Sequence, residues 1–161
     1  MDGVVQDGLT DSFDKMHMGL CAENLAKIFG ISREDTDEFA KQSYLKAIKA
    51  RDTGILAKEI VPVVISGRKG KPDITVQDDE EISKVNFEKM PYLNPVFQKD
   101  GTITAANASS LNDGAAACVL MSESAVKQFN AIPLAKVIAY ADAAVEPIDF
   151  GIAPSAAIEK V

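Results

Sequence analysis

The chain has 161 residues, of which 47% are hydrophobic and 25% charged, values typical of one globular domain or slightly more. The formal net charge of −7 argues against a general nucleic-acid-binding surface, which needs an excess of Lys and Arg. Two cysteines and one histidine argue against a zinc site or a disulfide framework, and favour a reducing compartment. No stretch reaches the roughly 18 apolar residues of a membrane span, so no membrane association is expected.

The first third of the sequence predicts two helices. Thr10 and Asp11 are candidate N-caps of a helix that runs to Gly30, a natural stop at a helix C-terminus. Ser32 precedes an acidic first turn in a capping-box arrangement. This arrangement predicts a second helix that ends near Thr53.

The middle of the sequence predicts a hairpin followed by a loop. Residues 60–66 are rich in β-branched side chains and predict a strand, and Pro62 places it at an edge or an end. A Gly- and Lys-rich turn leads to a returning strand over residues 74–76. Residues 84–100 show no clean period and contain two prolines, which favours a loop with short helical pieces.

From Gly101 onward the residues become small and apolar. The uninterrupted apolar run from Ala115 to Met121 predicts a strand buried on both faces, and residues 134–144 predict a second one. Ser122 is the predicted N-cap of a short helix between them, and a last helix is predicted from Pro154 to the end of the chain.

Three segments resemble the thiolase family, in matching order and spacing across essentially the whole chain. The first segment contains Asp7-Gly8-Leu9-Thr10-Asp11, His17-Met18-Gly19-Leu20 and Cys21-Ala22-Glu23-Asn24. The second runs from Phe97 to Gly114, with Thr104-Ala105-Ala106-Asn107-Ala108-Ser109 and Leu111-Asn112-Asp113-Gly114-Ala115-Ala116 at its centre. The third runs from Tyr140 to Pro147 and is followed by Gly151-Ile152-Ala153-Pro154. The chain is similar to biosynthetic-type thiolases, the acetyl-CoA acetyltransferases, and among them to mitochondrial thiolases that respond to potassium.

The resemblance implies an α/β fold and a division into three parts. Residues 1–103 correspond to the α+β loop domain that covers coenzyme A. Residues 104–131 correspond to the end of the N-terminal core domain and residues 132–161 to the start of the C-terminal one, so that part of the layered core sheet follows the loop domain. Since the family's sequence extends beyond both ends, this chain is expected to be an internal piece of a longer one.

The resemblance also implies a function and its site residues. The family cleaves acetoacetyl-CoA by thiolysis, or forms it from acetyl-CoA by Claisen condensation, with coenzyme A thioesters as substrates. The residues implied for coenzyme A binding are Leu9, His17, Met18, Tyr44, Lys84, Val85, Asn86, Lys89, Phe97, Ala108, Ser109 and Leu111. Those at the potassium site, which uses backbone carbonyls, are Tyr44, Ala105, Ala106 and Ala108. Lys84 stands where relatives often carry Arg and lacks its bidentate fork.

The family's chemistry needs an activated thiolate, a base and an oxyanion hole. None of the four motifs that supply them in thiolases occurs in this sequence, so no residue is assigned a catalytic role, and whether the chain is an enzyme by itself stays open. Cys21 and Cys118 are interpreted as small core side chains. Without the resemblance, His17 is an ordinary helix residue, Tyr44 packs in the core and Lys84 is solvated.

Alternatives to an enzyme segment remain at this point. The chain can instead be a catalytically inactive thiolase-like module for binding or interaction, or a piece that does not fold stably alone. A basic turn at Arg68, Lys69 and Lys71 decorates a hairpin or meets a nucleotide phosphate. The resemblance favours a mitochondrial location over the cytoplasm and a homotetrameric parent enzyme.

Overall fold

The computed structural model describes residues 2–161. Four α-helices and a two-stranded sheet are joined by short helical turns. The α-helices are α1 (Met18–Phe29), α2 (Arg33–Asp52), α3 (Glu123–Gln128) and α4 (Ala153–Ile158), and the strands are β1 (Val63–Ile65) and β2 (Ile74–Val76). The 3-10 turns lie at Leu56–Lys58, Glu81–Ser83, Met90–Tyr92 and Pro147–Ile152, and a π-helical turn lies at Val4–Gly8.

The chain divides into two compact units. The first unit runs to Leu25 and resumes from Ser110 to Val161, and the second comprises Ala26–Ser109. The second unit contains α2, the hairpin and the loops up to Ser109. The division into loop, N-terminal and C-terminal core domains at residues 103 and 131 stays a prediction.

Helix α2 begins where the sequence predicts it. The Ser32 hydroxyl accepts the backbone N–H of Asp35, and the Asp35 carboxylate accepts the backbone N–H of Ser32 in return, which completes the capping box. The backbone N–H of Ser32 and, to a smaller extent, the Ser32 hydroxyl donate to the Asp35 carboxylate and lower its pKa. The helix ends at Thr53, followed by Gly54 at a φ of +71°. The predicted start, stop and cap are confirmed.

Helix α1 starts later than predicted but stops at the predicted residue. The Asp11 carboxylate accepts the backbone N–H groups of Phe13 and Asp14, which closes a tight turn instead of capping a helix. A β-bridge between Thr10 and His17 then precedes the helix. The predicted start at Thr10 or Asp11 is therefore wrong, since a short polar turn satisfies this carboxylate locally. Gly30, at a φ of +63°, follows the last residue of α1 as predicted.

The predicted hairpin is confirmed. Val63 pairs with Val76 and Ile65 with Ile74 in antiparallel register, and both strands are exposed along their length. Gly67 is required at the turn, because a Cβ atom there would lie 1.8 Å from the backbone oxygen of Lys71. Among the short elements, the helical turn at Met90–Tyr92 agrees with the predicted loop with helical pieces.

The two buried strands predicted after Gly101 are wrong. The described residues 109–122 and 131–146 lie outside any helix or strand, and their large apolar side chains are exposed; Val119 is 80% exposed and Ile138 84%. An apolar run supplies the side chains of a buried strand but not the neighbouring strand to which it must hydrogen-bond. Cys118, predicted to be a core residue, is exposed for the same reason.

The short helices around these segments form as predicted. The Ser122 hydroxyl accepts the backbone N–H of Ala125 and caps α3. Pro154 lies in the first turn of α4, where its missing N–H has no helical partner to lose. Across residues 2–161, no helix combines the length and the apolar composition needed to cross a lipid bilayer.

Candidate functional site

An open pocket of about 350 Å³ lies within the first unit. Its walls come from the segment before α1 and from the turn before α4, and they are mostly apolar. The lining residues are Thr10, Asp11, Phe13, Met18, Val145, Pro147 and Phe150. Of these, only Met18 was predicted as a site residue, because the others carry no chemistry that distinguishes them in the sequence.

Helix α1 holds the two walls of the pocket together. The Asn24 amide donates to the Asp149 carboxylate over 3.4 Å, across 125 residues of sequence. At the next residue of α1, Leu25, the contact with Gly151 is so close that a Cβ atom added to the glycine would lie 2.8 Å from the leucine Cδ1. The segment around Glu146-Pro147 is thereby fixed against the helix that begins with Met18.

Three predicted site residues of the first unit come together at the start of α1. The backbone N–H of Met18 donates to the carbonyl oxygen of Leu9 over 2.8 Å. The His17 ring accepts the backbone N–H of Gly19 at Nδ1 over 3.0 Å. The fourth residue, Leu111, lies on the extended segment after Ser110 and is 71% exposed.

Cys21 is the most deeply buried thiol of the described residues, with none of its surface exposed. Burial raises its pKa, and the negative charge of Asp11 raises it further, with smaller contributions from Asp14 and Asp149. A thiol in this environment stays protonated and is a poor nucleophile. The prediction that Cys21 is a core residue is confirmed by its burial.

In the second unit, Tyr44 lies on α2 and packs against the segment that contains Lys84 to Lys89. Its ring meets that of Phe87 edge to face, with 6.3 Å between the ring centroids and 71° between the ring planes. Further along the same helix, the Arg51 guanidinium donates to the Ser83 hydroxyl over 2.7 Å. Val85, between these contacts, is half-buried.

The two predicted lysines of this segment are exposed. Lys84 forms ion pairs of 2.7 Å with Glu81 and 3.4 Å with Glu80. The hydrogen bond that Lys84 donates to the Glu81 carboxylate is the main reason that the pKa of Lys84 is raised. The backbone N–H of Lys89 donates to the Asn86 side-chain oxygen over 3.0 Å, which fixes a turn between them.

The remaining predicted residues lie on or beside the loop from Gly101 to Ser109. The backbone N–H of Val96 donates to the carbonyl of Ile103 over 2.9 Å, which fixes the half-buried Phe97 next to this loop. The N–H of Ala108 donates to the carbonyl of Thr104 over 3.0 Å and closes a turn that contains Ala105 and Ala106. Ser109 is exposed at the end of the loop.

A polar network that the sequence did not reveal anchors this loop to α2. The Asn107 amide nitrogen donates to Asp37 and to the carbonyl of Thr102, each over 2.9 Å. Arg33 pairs with Asp37 over 2.7 Å and donates to the carbonyl of Leu93 over 3.1 Å. The sequence showed Asn107 only as part of the Thr-Ala-Ala-Asn-Ala-Ser motif, and this motif did not indicate which residue it hydrogen-bonds to.

No group of three or more His, Cys, Asp or Glu side chains placed to hold a metal ion is found within residues 2–161. This result concerns sites built from charged or imidazole side chains. A potassium ion takes neutral oxygens, and backbone carbonyls are typical ligands for it.

Comparison with known proteins gives the family. The sequence profile of the thiolase N-terminal domain matches residues 1–124. The chain belongs to the thiolase family. Two curated relatives of this thiolase chain are the mitochondrial acetyl-CoA acetyltransferase A of Xenopus laevis, 58% identical over 99% of the chain, and the mitochondrial enzyme of Danio rerio, 59% identical over the same share. The chain spans 38% of the length of these relatives.

Solved structures agree with this assignment and confirm the predicted α/β thiolase fold class. The Acat5 thiolase of Ascaris suum, in complex with coenzyme A, is 47% identical and matches 99% of this thiolase chain with a TM-score of 0.90. The acetyl-CoA acetyltransferase of Bacillus anthracis is 40% identical over 98% of the chain, also with a TM-score of 0.90. In each case the match covers 40% of the solved chain.

Proposed function

We propose that this thiolase chain is part of an acetyl-CoA C-acetyltransferase that cleaves acetoacetyl-CoA or condenses acetyl-CoA. The observation that carries the proposal is 58% identity over 99% of the chain to a mitochondrial acetyl-CoA acetyltransferase. A second support is the Ascaris suum thiolase, which matches at a TM-score of 0.90 and is in complex with coenzyme A.

The chain's share of this activity is to bind the coenzyme A thioester. Leu9, His17 and Met18 meet at the start of α1, beside an apolar pocket suited to the uncharged pantetheine arm. The residues proposed for the rest of the molecule are Tyr44, Lys84, Val85, Asn86, Lys89, Phe97, Ala108, Ser109 and Leu111. Lys89 is an exposed cation that suits a phosphate group, whereas Lys84 is exposed but already pairs with Glu80 and Glu81.

A potassium ion fits the donor chemistry of the residues proposed for it. Ala105, Ala106 and Ala108 offer only backbone oxygens, and the Tyr44 phenol adds one neutral oxygen. In the turn at residues 104–108 the N–H groups of Asn107 and Ala108 both donate to the Thr104 carbonyl, so these two donors are satisfied within the turn. When bound, the ion would supply positive charge that orders this loop.

The chain supplies no catalytic residue in this proposal. The buried Cys21 has a raised pKa, which disfavours the thiolate that acyl transfer requires. The second candidate function is a catalytically inactive thiolase-like module that binds coenzyme A. The same observation on Cys21 supports it, since the two candidates differ only in whether the residues work as part of an active enzyme.

The location is proposed from the names of the relatives, and the assembly from the family resemblance. Relatives of Xenopus laevis, Mus musculus and Bos taurus are named mitochondrial, which supports a mitochondrial location, with the cytoplasm as the alternative. We also propose a homotetrameric parent enzyme. Neither nucleic acid nor a membrane is proposed as a partner, in keeping with the net charge of −7.

Calorimetric titration with coenzyme A and a thiolysis assay test the proposal on the 161-residue chain. We expect binding without turnover, and weaker binding in His17→Ala and Ser109→Ala than in the neighbouring control Ser110→Ala. Turnover by the chain itself would contradict the absence of catalytic residues. Equal affinity in all three variants would contradict the site.

A chimaera separates the two candidate functions. The 161 residues replace the matching segment of the Xenopus laevis enzyme, and acetoacetyl-CoA thiolysis is measured beside the unchanged parent. Turnover near that of the parent supports an enzyme segment, because all the missing groups are then supplied. A folded chimaera that binds coenzyme A without turnover supports the inactive module.

A further inference from the structure

Arg33, Asp37 and Asn107 form a continuous polar chain in the second unit. Arg33 Nε lies 2.7 Å from one oxygen of the Asp37 carboxylate, and Asn107 Nδ2 lies 2.9 Å from the other. The side chains of Arg33 and Asp37 are only 19% and 11% exposed. Both carboxylate oxygens are thus satisfied in a largely dry environment, where such hydrogen bonds are strong and directional.

Each end of this network of three side chains is hydrogen-bonded to a segment outside α2. The Arg33 guanidinium donates to the carbonyls of Met90 and Leu93 over 2.9 and 3.1 Å. The Asn107 side-chain oxygen accepts the backbone N–H of Thr104 over 2.7 Å, and Thr104 is fully buried. Arg33 therefore holds the segment at Met90–Leu93 to the first turn of α2, and the Asp37 carboxylate holds the loop at residues 101–109 beside it.

The position of Asn107 links the two parts of the proposed potassium site. Ala105, Ala106 and Ala108 lie beside it in the loop, so their carbonyls move with its backbone. Tyr44, the fourth residue of that site, follows Asp37 by seven residues on α2. Seven residues are about two helical turns, which places Tyr44 and Asp37 on the same face of the helix.

We propose that Arg33, Asp37 and Asn107 are positioning residues that set the spacing between α2 and the carbonyls of residues 105–108. They act through backbone geometry and do not touch the ion. This inference rests on the proposed potassium contacts of Tyr44 and the alanines. Its physical reason is that alanine carbonyls on a loop have no packed side chain to fix them, whereas a carbonyl-built cation site needs its oxygens held close to the bound geometry.

The primary experiment measures the 161-residue chain in two ways. Hydrogen exchange reports how firmly residues 104–109 are held. Melting temperature is then measured against potassium chloride concentration, with choline chloride as the ionic-strength control, since a ligand that binds only the folded state raises it. The variants are Asn107→Ala and the milder Asn107→Ser. Gln42→Ala is the control, because its exposed amide bonds to Glu38 on the same helix.

In the wild-type chain we expect potassium, and not choline, to raise the melting temperature. Asn107→Ala should speed exchange across residues 104–109. It should also raise, by about 10- to 100-fold, the potassium concentration that gives half of the rise in melting temperature, which is the usual cost of removing a group that orients a metal ligand. Asn107→Ser should shift both readouts in the same direction by less, and Gln42→Ala should leave both unchanged.

The outcomes separate this inference from the proposed function. An Asn107→Ala chain that is less stable but keeps the wild-type potassium midpoint overturns the positioning role while the potassium site stands. If Asn107→Ala fails to fold, the same comparison is decided by Asn107→Ser. A wild-type chain whose melting temperature responds equally to potassium and choline refutes the potassium contacts, and this inference falls with them.

A double-mutant cycle tests the direct link between the two side chains. Asp37→Ala and Asn107→Ala each remove one side of the 2.9 Å hydrogen bond, and each should speed exchange across residues 104–109. We expect D37A/N107A to speed exchange by less than the two single effects added together, because the second substitution has no bond left to remove. Additive effects overturn the direct coupling.

Discussion

A loop of the second unit and an extended segment of the first unit differ in apolar content and in the hydrogen bonds that hold them. Around α2, the loop at residues 101–109 has few large apolar side chains but is held by hydrogen bonds to Asp37 and Thr36. Residues 111–121 are far more apolar, yet they are exposed along their whole length. The comparison shows that apolar composition alone does not bury a segment or place it in a sheet. A partner that satisfies its backbone and polar groups is also required.

The largest expected loss of stability comes from replacing Arg33. We expect Arg33→Ala to lower the free energy of unfolding by about 3 kcal/mol, because it leaves the largely buried Asp37 carboxylate without its cation. The carbonyls of Met90 and Leu93 lose their donor as well. Urea unfolding followed by circular dichroism measures the change.

Glu38→Ala is the matched control for this variant. Glu38 pairs with Lys41 over 3.9 Å on the same helix, but both side chains are exposed, so its removal should have little effect. Equal losses in Arg33→Ala and Glu38→Ala would show that burial of the Arg33 pair does not set its strength.

A smaller effect is expected at the helix caps. Ser32→Ala should lower the free energy of unfolding by about 1 kcal/mol, since the Ser32 hydroxyl caps a helix of 20 residues. Ser122→Ala removes the same kind of cap from α3, a helix of 6 residues in the first unit. If α3 contributes little to the cooperative fold, its loss should be smaller. A larger loss for Ser122→Ala would reverse the ranking of the two units.

The sequence predicted the features whose interacting residues lie close together along the chain. The Ser32 cap and the two strands of the hairpin were predictable, because the cap partner lies 3 residues away and the paired strands lie at most about 13 residues apart. The late start of α1 was not, because Asp11 can equally cap a helix or close a turn, and only the backbone that follows decides which.

The candidate site was assigned by resemblance rather than by pattern. Leu9, His17 and Met18 lie close together in the structure, and their role in coenzyme A binding stays a prediction. Asn107 and Asp37 lie 70 residues apart, so no local pattern could pair them. Phe150 lines the pocket with Met18, but a phenylalanine in a sequence carries no sign of the surface it will face. The predicted strand over residues 115–121 failed because an apolar run does not identify a neighbouring strand.

The reactivity of the two cysteines compares the exposed segment with the buried part of α1, and it requires no change in stability. Cys118, exposed on the extended segment, should react quickly with a thiol reagent, whereas the buried Cys21 should react only as the fold opens. Cys21→Ala and Cys118→Ala, labelled separately, assign the two phases. Comparable fast rates for both thiols in the folded chain would contradict the burial of Cys21.

Cys21 also gives a pH dependence whose sign is defined. Burial raises its pKa in the folded chain above the ordinary value of 9.0, so the unfolded chain releases this proton first. The contribution of Cys21 to stability is complete below pH 9.0 and is lost as the pH rises from there toward the folded-state pKa. Unfolding free energy measured across this range should fall more steeply in the wild-type chain than in Cys21→Ala.

The smallest effect is expected in the extended segments. Leu120, 83% exposed, should accept replacement by Ser with a change in unfolding free energy within about 0.5 kcal/mol, as for other exposed positions. Ala40→Ser, at a buried position of α2, is the contrasting substitution and should cost more. A large loss in Leu120→Ser would mean that this segment is packed in the folded chain.

The link between Asp37 and Asn107 also bears on the order of events while the chain is being synthesised. At about 5 to 20 residues per second, the ribosome adds Asn107 roughly 4 to 14 s after Asp37, since 70 residues separate them. During that interval Arg33, four residues before Asp37, is its available partner on the same helix. The nascent helix can therefore form first, and the loop at residues 101–109 closes onto it last.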